Sequence, residues 1–169
     1  VETLYAVLES RGFITKELTD TYGKFNSPLA GHPTKKTPGV ELNSGALGHG
    51  LSVGVGIAIA NKMNKTPMRT YVLMGDGEQG EGSIYEAAMA GSHYKLDNLV
   101  AIIDRNYLQI SGNTEDVMSL DPMRERWEAF GWEVINAEGN NIDKLIDLFD
   151  SIDYSNGKPK LIISRTAKG

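Results

Sequence analysis

An α/β fold, a parallel sheet with helices on both faces, is predicted by three observations in this chain of 169 residues. Short apolar runs at residues 70–74, 99–104, 132–137 and 161–164 alternate with longer stretches of helical period. Each run is apolar throughout, as a strand buried on both faces must be. Polar segments, Gly75-Asp76-Gly77 and Asp104-Arg105-Asn106, follow the first two runs directly, and ligands bind such sheets at the carboxyl ends of strands.

Taken in order, residues 2–11 read as a helix with Leu4, Val7 and Leu8 on one face. Residues 12–42 are loop-rich, with Pro28, Pro33 and Pro38. Only a short helix over 15–22 is expected there, and Thr15-x-x-Leu18 lacks the acid of a full capping box. Residues 48–64 form a helix built on Ser52, Gly54, Gly56, Ala58 and Ala60. Each interior glycine costs about 1 kcal/mol relative to alanine, so close packing must recover the loss. Strand 70–74, helix 83–94 and strand 99–104 make a βαβ unit. Asp121-Pro122 caps a helix running to 130, followed by strand 132–137, helix 141–152 and strand 161–164. No repeat or linker divides the chain, so residues 1–169 read as one domain.

Composition narrows the function classes. With 40% hydrophobic and 23% charged residues the chain can bury one sizeable core. A net charge of -5 argues against a nucleic-acid surface. The absence of cysteine excludes disulfides and thiolate metal sites. The longest small-and-apolar run, residues 51–60, is too short and glycine-rich to span a bilayer, and no signal-peptide pattern opens the chain. We therefore expect a cytoplasmic protein without nucleic-acid or membrane partners.

The segment from Gly75 to Gly82 admits two chemistries. Gly75-x-Gly77-x-x-Gly80 after a strand is a dinucleotide fingerprint, and Asp104 imitates its ribose-binding acid. Such a loop, however, offers bare N–H groups to a pyrophosphate and should aim no carboxylate at it. Here Asp76 stands between the first two glycines, with Glu78 and Glu81 close behind. Unpaired acids repel a diphosphate unless a hard cation lies between them. Asp76, an amide oxygen of Asn106 and a backbone carbonyl two residues later could hold that cation. The plainer alternative makes Asp76 and Asn106 ordinary turn residues at strand ends.

Gly75-Asp76-Gly77, with Asn106 closing the stretch that begins at Glu78, matches the diphosphate-and-metal motif of thiamine diphosphate enzymes. The surroundings are more specific. Residues 75–112, including Tyr85-Glu86-Ala87-Ala88-Met89-Ala90 and His93-Tyr94-Lys95-Leu96-Asp97-Asn98-Leu99, resemble the N-terminal subunit of a split transketolase. Gly31-His32-Pro33 and Ser44-Gly45-Ala46-Leu47-Gly48-His49-Gly50 resemble two further transketolase segments in the expected order. The resemblance implies thiamine diphosphate and Mg²⁺ (or Ca²⁺ or Mn²⁺) as cofactors, with Asp76, Asn106 and the carbonyl of Leu108 as metal ligands. Gly77 and Asn106 would border the cofactor's diphosphate, and Gly45, Ala46 and Leu47 its diphosphate and thiazolium ring. Glu81 would link two cofactor sites near a dimer interface, or be a solvated residue at a helix start. His32 would meet the hydroxyls of a donor sugar near the reacting carbon, or stand free in a loop. His49 could contact phosphate or cap the following helix, and His93 at a helix end reads as structural. Many long transketolases have proline where Ala46 stands, long transketolases have glutamine at His49, and many relatives have His-Asp at Asn140-Asn141.

The implied reaction moves a two-carbon ketol unit between sugar phosphates, with the cofactor performing the difficult electronic step. The glutamate that activates the cofactor comes, in the family, from a separate pyrimidine-binding domain. We therefore expect a partner C-terminal subunit, an oligomer, and a chain that is silent alone and lacks family segments at both ends. Two alternatives stay open. One is the equivalent domain of deoxyxylulose-phosphate synthase or a 2-oxo acid dehydrogenase, disfavoured by Gly31-His32-Pro33 and Asp104-Arg105-Asn106. The other is a non-catalytic assembly module with the same fold.

Overall fold

The computed structural model describes residues 1–168, and they fall into two compact units, Val1–Ala46 and a second that begins at Leu47. In the first unit, helix α1 (Glu2–Ser10) buries Tyr5 and Leu8 against Ile14 and Leu29. Of the expected face of Leu4, Val7 and Leu8, only Leu8 is buried. The turn is set by Tyr5, whose hydroxyl donates to Ala30 O at 2.5 Å and whose ring meets Tyr22 edge-on at 5.5 Å. Thr15 caps α2 (Lys16–Thr19), accepting from Leu18 N at 3.3 Å. With one capping bond and no reciprocal acid, that helix lasts a single turn rather than reaching 22.

The second unit runs α3 (His49–Met63), β1 (Thr70–Gly75), a 3₁₀ turn (Gly77–Gly80), α4 (Gly82–His93) and β2 (Leu99–Arg105). A short hairpin follows, β3 (Leu108–Gln109) and β4 (Gly112–Asn113), then α5 (Thr114–Val117), α6 (Met123–Ala129), β5 (Glu133–Glu138), α7 (Ile142–Ser151) and β6 (Lys160–Arg165). The hairpin and α5 fall in a stretch where the sequence pattern predicted no element, because two-residue strands carry no readable alternation. The four long strands are parallel, in the order β1-β2-β6-β5. Their register sets Gly75 beside Asp104 and Asp104 beside Ser164, so the strands deliver their polar ends to one rim.

Helices lie on both faces. On one, Leu51, Val55 and Ala58 of α3, Ile84 and Ala88 of α4 and Trp127 of α6 pack on Val72, Leu99, Ala101, Ile103 and Leu161. On the other, Leu148 and Phe149 of α7 join Val100, Ile152 and Ile162. Strand β1, at the sheet edge, is not buried on both faces as expected: on its outer face Tyr71 meets Phe149 edge-on at 6.0 Å, but Leu73 is 74% exposed.

Helix α3 separates its glycines by role. A Cβ on Gly54 would sit 2.4 Å from Val72 Cγ2, whereas one on Gly56 meets nothing within 4 Å. The close packing expected to offset helix glycines therefore operates at Gly54 and not at Gly56. Gly54→Ala should destabilise the chain by about 1–3 kcal/mol through overpacking. Gly56→Ala should stabilise it by up to about 1 kcal/mol. Urea unfolding of the two variants, read side by side, checks both signs.

Candidate functional site

The carboxyl end of β1 turns at once into the 3₁₀ helix, and Asp76 at that junction is 1% exposed. Its carboxylate is saturated almost wholly by protein donors. Oδ1 accepts from Gly77 N at 2.8 Å. Oδ2 accepts from Tyr107 N at 2.6 Å and from Arg105 Nη1 at 3.3 Å. Tyr107 reaches this position by adopting φ +64, a left-handed conformation that costs a bulky residue energy and clusters at functional sites. The turn from Asp104 to Leu108 is further fixed by Asn106. Its Nδ2 donates to Asp104 Oδ2 at 2.8 Å and its Oδ1 accepts from Leu108 N at 2.9 Å.

Arg105 anchors the whole turn. Alternation along β2 places it on the same side as Leu99, Ala101 and Ile103, and it is 2% exposed. A guanidinium there requires counter-charges, and three carboxylates supply them. Besides Asp76, Nη2 donates to Glu115 Oε1 at 2.6 Å and Asp121 Oδ2 at 3.3 Å, while Nη1 also donates to Thr114 Oγ1 at 2.8 Å. The Tyr107 ring stacks 3.9 Å from the guanidinium carbon. Burial pulls the guanidinium's pKa down, and Glu115 and Asp121 more than offset it, so the net direction is upward. The Arg105 hydrogen bond holds Glu115 at about 2, helped by Ser119 and by backbone N–H groups of Leu120 and Asp121. Asp121 thus serves both Arg105 and the start of α6, its Oδ1 accepting from Met123 N at 3.4 Å, although the N-cap position itself, Pro122, offers no side-chain bond.

The sequence-predicted residues are distributed as follows. Asp76, Gly77, Asn106 and Leu108 meet at the ends of β1 and β2. A Cβ on Gly77 would lie 2.9 Å from Gln109 Cβ, so glycine lets the β3–β4 hairpin close on the Asp76 loop. Leu47, 55% exposed, precedes α3. Glu81 is exposed at the N-cap of α4 and forms no side-chain capping bond. In the first unit, His32 and Gly45 come together, a Gly45 Cβ lying 3.0 Å from His32 Cγ; Ser44 N donates to Pro33 O at 3.0 Å across the same turn. Ala46 is exposed nearby in sequence. Asp104, which imitated a ribose acid, instead accepts from Asn106 and from Thr166 Oγ1.

Residue types alone miss two participants. Glu78, an unpaired charge beside the site on the sequence reading, gives both oxygens to backbone N–H groups, Gly48 at 2.8 Å and Gly75 at 3.1 Å. Arg105 enters from the sequence only as part of a family signature, because β2 is buried on both faces and parity alone does not mark one side as inner. Ile110, at the hairpin tip, is fully exposed.

Among the described residues no group of three His, Asp or Glu side chains could hold a metal. The oxygens that could are one carboxylate, one amide and one carbonyl. A carboxylate offers about four lone-pair positions, and Asp76 has committed three. Asn106 Oδ1 has committed one of two. What remains is a sparse, hard-oxygen set, which fits Mg²⁺, Ca²⁺ or Mn²⁺ and suits a cation that keeps ligands from water and phosphate.

A family model described as "Transketolase, thiamine diphosphate binding domain" matches residues 1–169. The chain is 67% identical, over its whole length, to an apulose-4-phosphate transketolase subunit of Phocaeicola vulgatus and covers 60% of that protein. It is 38% identical over 167 residues to 6-deoxy-6-sulfo-D-fructose transketolase subunit SqwG of a Clostridium species, covering 61% of it. The chain thus spans about three fifths of these curated relatives. Among solved structures, transketolase from Leishmania mexicana superposes with a TM-score of 0.87 at 31% identity, over 96% of this chain and 26% of that one.

The Arg105–Glu115 pair gives a pH signature. Glu115 has a folded pKa of about 2, below its unfolded value near 4.5, so its contribution is complete above 4.5 and fades as pH falls toward 2. The difference in melting temperature between the wild type and Glu115→Gln should therefore be constant from pH 7 to 5 and shrink between 4.5 and 2. A constant difference over the whole range would contradict the pairing.

Proposed function

The chain belongs to the transketolase thiamine diphosphate-binding domain family, and we propose that it forms the half of a two-part transketolase that anchors the cofactor's diphosphate through a divalent cation. The observation that carries this reading is the junction of Asp76 with the Asn106–Tyr107 peptide at the rim of the sheet, where Tyr107 N donates to Asp76 Oδ2 at 2.6 Å. In this proposal Asp76, Asn106 Oδ1 and the Leu108 carbonyl hold Mg²⁺, with Ca²⁺ or Mn²⁺ able to substitute. Gly77 and Asn106 border the diphosphate, and exposed Leu47 and Ile110 offer apolar surface to a ring. In the first unit His32 meets sugar hydroxyls, and Gly45 and Ala46 contact the cofactor. Glu81, whose side chain makes no capping bond, is free to reach a partner chain.

When bound, thiamine diphosphate supplies the electron sink that lets a carbon–carbon bond beside a ketone break. The chain's own work is positioning. Arg105 keeps the Asp76 carboxylate aimed, Tyr107 N–H fixes one oxygen, and Asp104 holds the Asn106 amide nitrogen so that the amide oxygen points the other way. The activating glutamate would come from a separate pyrimidine-binding subunit, so ketol transfer requires both. The donor is proposed to be a ketose phosphate. The 67% identity to a subunit named for apulose 4-phosphate favours that sugar over a xylulose phosphate.

Calorimetry tests the anchoring step. Thiamine diphosphate should bind in Mg²⁺, not in EDTA. Asp76→Asn should weaken binding by more than the roughly 10–100-fold that loss of an outer-shell partner costs. Turnover of apulose 4-phosphate with an aldose phosphate should appear only when the pyrimidine-binding subunit is added. Metal-independent binding, or binding indifferent to Asp76→Asn, would overturn the reading.

A further inference from the structure

Glu78 stands beside a site read as taking an anionic diphosphate, where a carboxylate should repel. Its geometry accounts for its presence. Oε1 accepts from Gly48 N at 2.8 Å and Oε2 from Gly75 N at 3.1 Å. One carboxylate thereby bridges two peptide groups that belong to different elements, the turn into α3 and the end of β1. Charge-assisted bonds of this kind are short and about twice as strong as neutral ones.

The Gly48 N–H belongs to the same peptide unit as the Leu47 carbonyl, and that carbonyl accepts from His49 Nδ1 at 3.1 Å. The Leu47–Gly48 peptide is therefore gripped at both ends, by Glu78 on its N–H and by His49 on its oxygen. Gly48 adopts φ +81, and a Cβ there would lie 2.4 Å from Ser83 Oγ and 2.7 Å from Glu81 Cβ. The turn is pressed onto the start of α4 and has no room to shift that way. At the other oxygen, Glu78 holds the Met74–Gly75 peptide, one residue before Asp76.

We propose that Glu78 is a positioning residue that fixes the distance between the Leu47–Gly48 peptide and the Asp76 loop, with His49 as its counterpart on the Leu47 carbonyl. The inference rests on the reading of Asp76 as a cofactor anchor, and it adds what holds a second cofactor-facing segment at a set spacing from that anchor. A negative charge near a diphosphate is tolerated because both oxygens are consumed by N–H donors. Metal affinity should depend on Glu78 only through its charge, and so equally in Glu78→Ala and Glu78→Gln, because it contacts none of the proposed metal oxygens, whereas cofactor affinity should also depend on its hydrogen bonds.

Two measurements on the whole chain test this. Amide exchange followed by NMR reads the clamp without any ligand. In Glu78→Ala, and less in Glu78→Gln, the Gly48 and Gly75 amides should lose protection together while the β2 and β6 amides keep theirs. Titrations then read the consequence. Mn²⁺ binding followed by EPR should be the same in the two variants, which lose the same charge. Thiamine diphosphate affinity at saturating Mg²⁺ should fall about ten-fold in Glu78→Ala, with His49→Ala showing a smaller loss. Retained protection at Gly48 and Gly75 overturns the clamp whatever the cofactor does. Tighter cofactor binding by Glu78→Gln would make Glu78 a repelling charge and also overturn it. If the wild type itself ignores thiamine diphosphate, the anchoring reading fails, and the exchange data alone decide the clamp.

Discussion

A buried carboxylate must be paid for in hydrogen bonds, and Asp76 governs this molecule because its three donors come from three places. Gly77 N is the next residue, Tyr107 N lies across the β1–β2 rim, and the Arg105 guanidinium rises from inside β2. Removing one partner of a buried charge pair typically costs about 3–5 kcal/mol, so the rim is held as a unit. Arg105 extends the unit to Glu115 and Asp121. The hairpin, α5 and the approach to α6 are thus tied to the same guanidinium. The stack on Tyr107 completes the arrangement and helps to hold that residue in its left-handed conformation.

Charge pairing explains the composition of the turn. Asp76, Glu78, Asp104, Glu115 and Asp121 cluster around two strand ends, an arrangement that would repel in an open loop. Each instead has donors, Arg105 being shared by Asp76, Glu115 and Asp121. Glu78 takes two backbone N–H groups, Asp104 takes Asn106 and Thr166, and Glu115 and Asp121 share Arg105. Asp76 and Asn106 keep uncommitted oxygen lone pairs at the rim, and these are the two side chains to which we assign the cation. The sheet register that sets Gly75 beside Asp104 makes this convergence possible.

Much of this is legible in the sequence, for reasons that differ by element. The four long strands and helices α3, α4, α6 and α7 are readable because apolar runs and helical period are strong signals in buried segments. The hairpin and α5 are not, being too short for either period. Helix α1 is found by its period, and of its expected face Leu8 is buried while Leu4 and Val7 are not, because a tyrosine whose hydroxyl reaches a carbonyl takes the inner side beside Leu8. At the site, Gly75-Asp76-Gly77 and Asn106 are recognisable from type and spacing. Glu78 cannot be assigned that way, since its partners are backbone N–H groups, one of them 30 residues away in sequence, and backbone donors leave no trace in residue types. Arg105 cannot be either, since both faces of β2 are buried and strand parity alone singles out no inner side.

Diffraction from crystals of the chain grown with Mn²⁺ and thiamine diphosphate, using the anomalous signal of the metal, tests the anchoring of the cofactor most directly. A single peak is predicted within coordination distance of the Asp76 carboxylate, Asn106 Oδ1 and the Leu108 carbonyl, with Arg105 still on Glu115. A peak held by other residues, or diphosphate density away from the ends of β1 and β2, would contradict it.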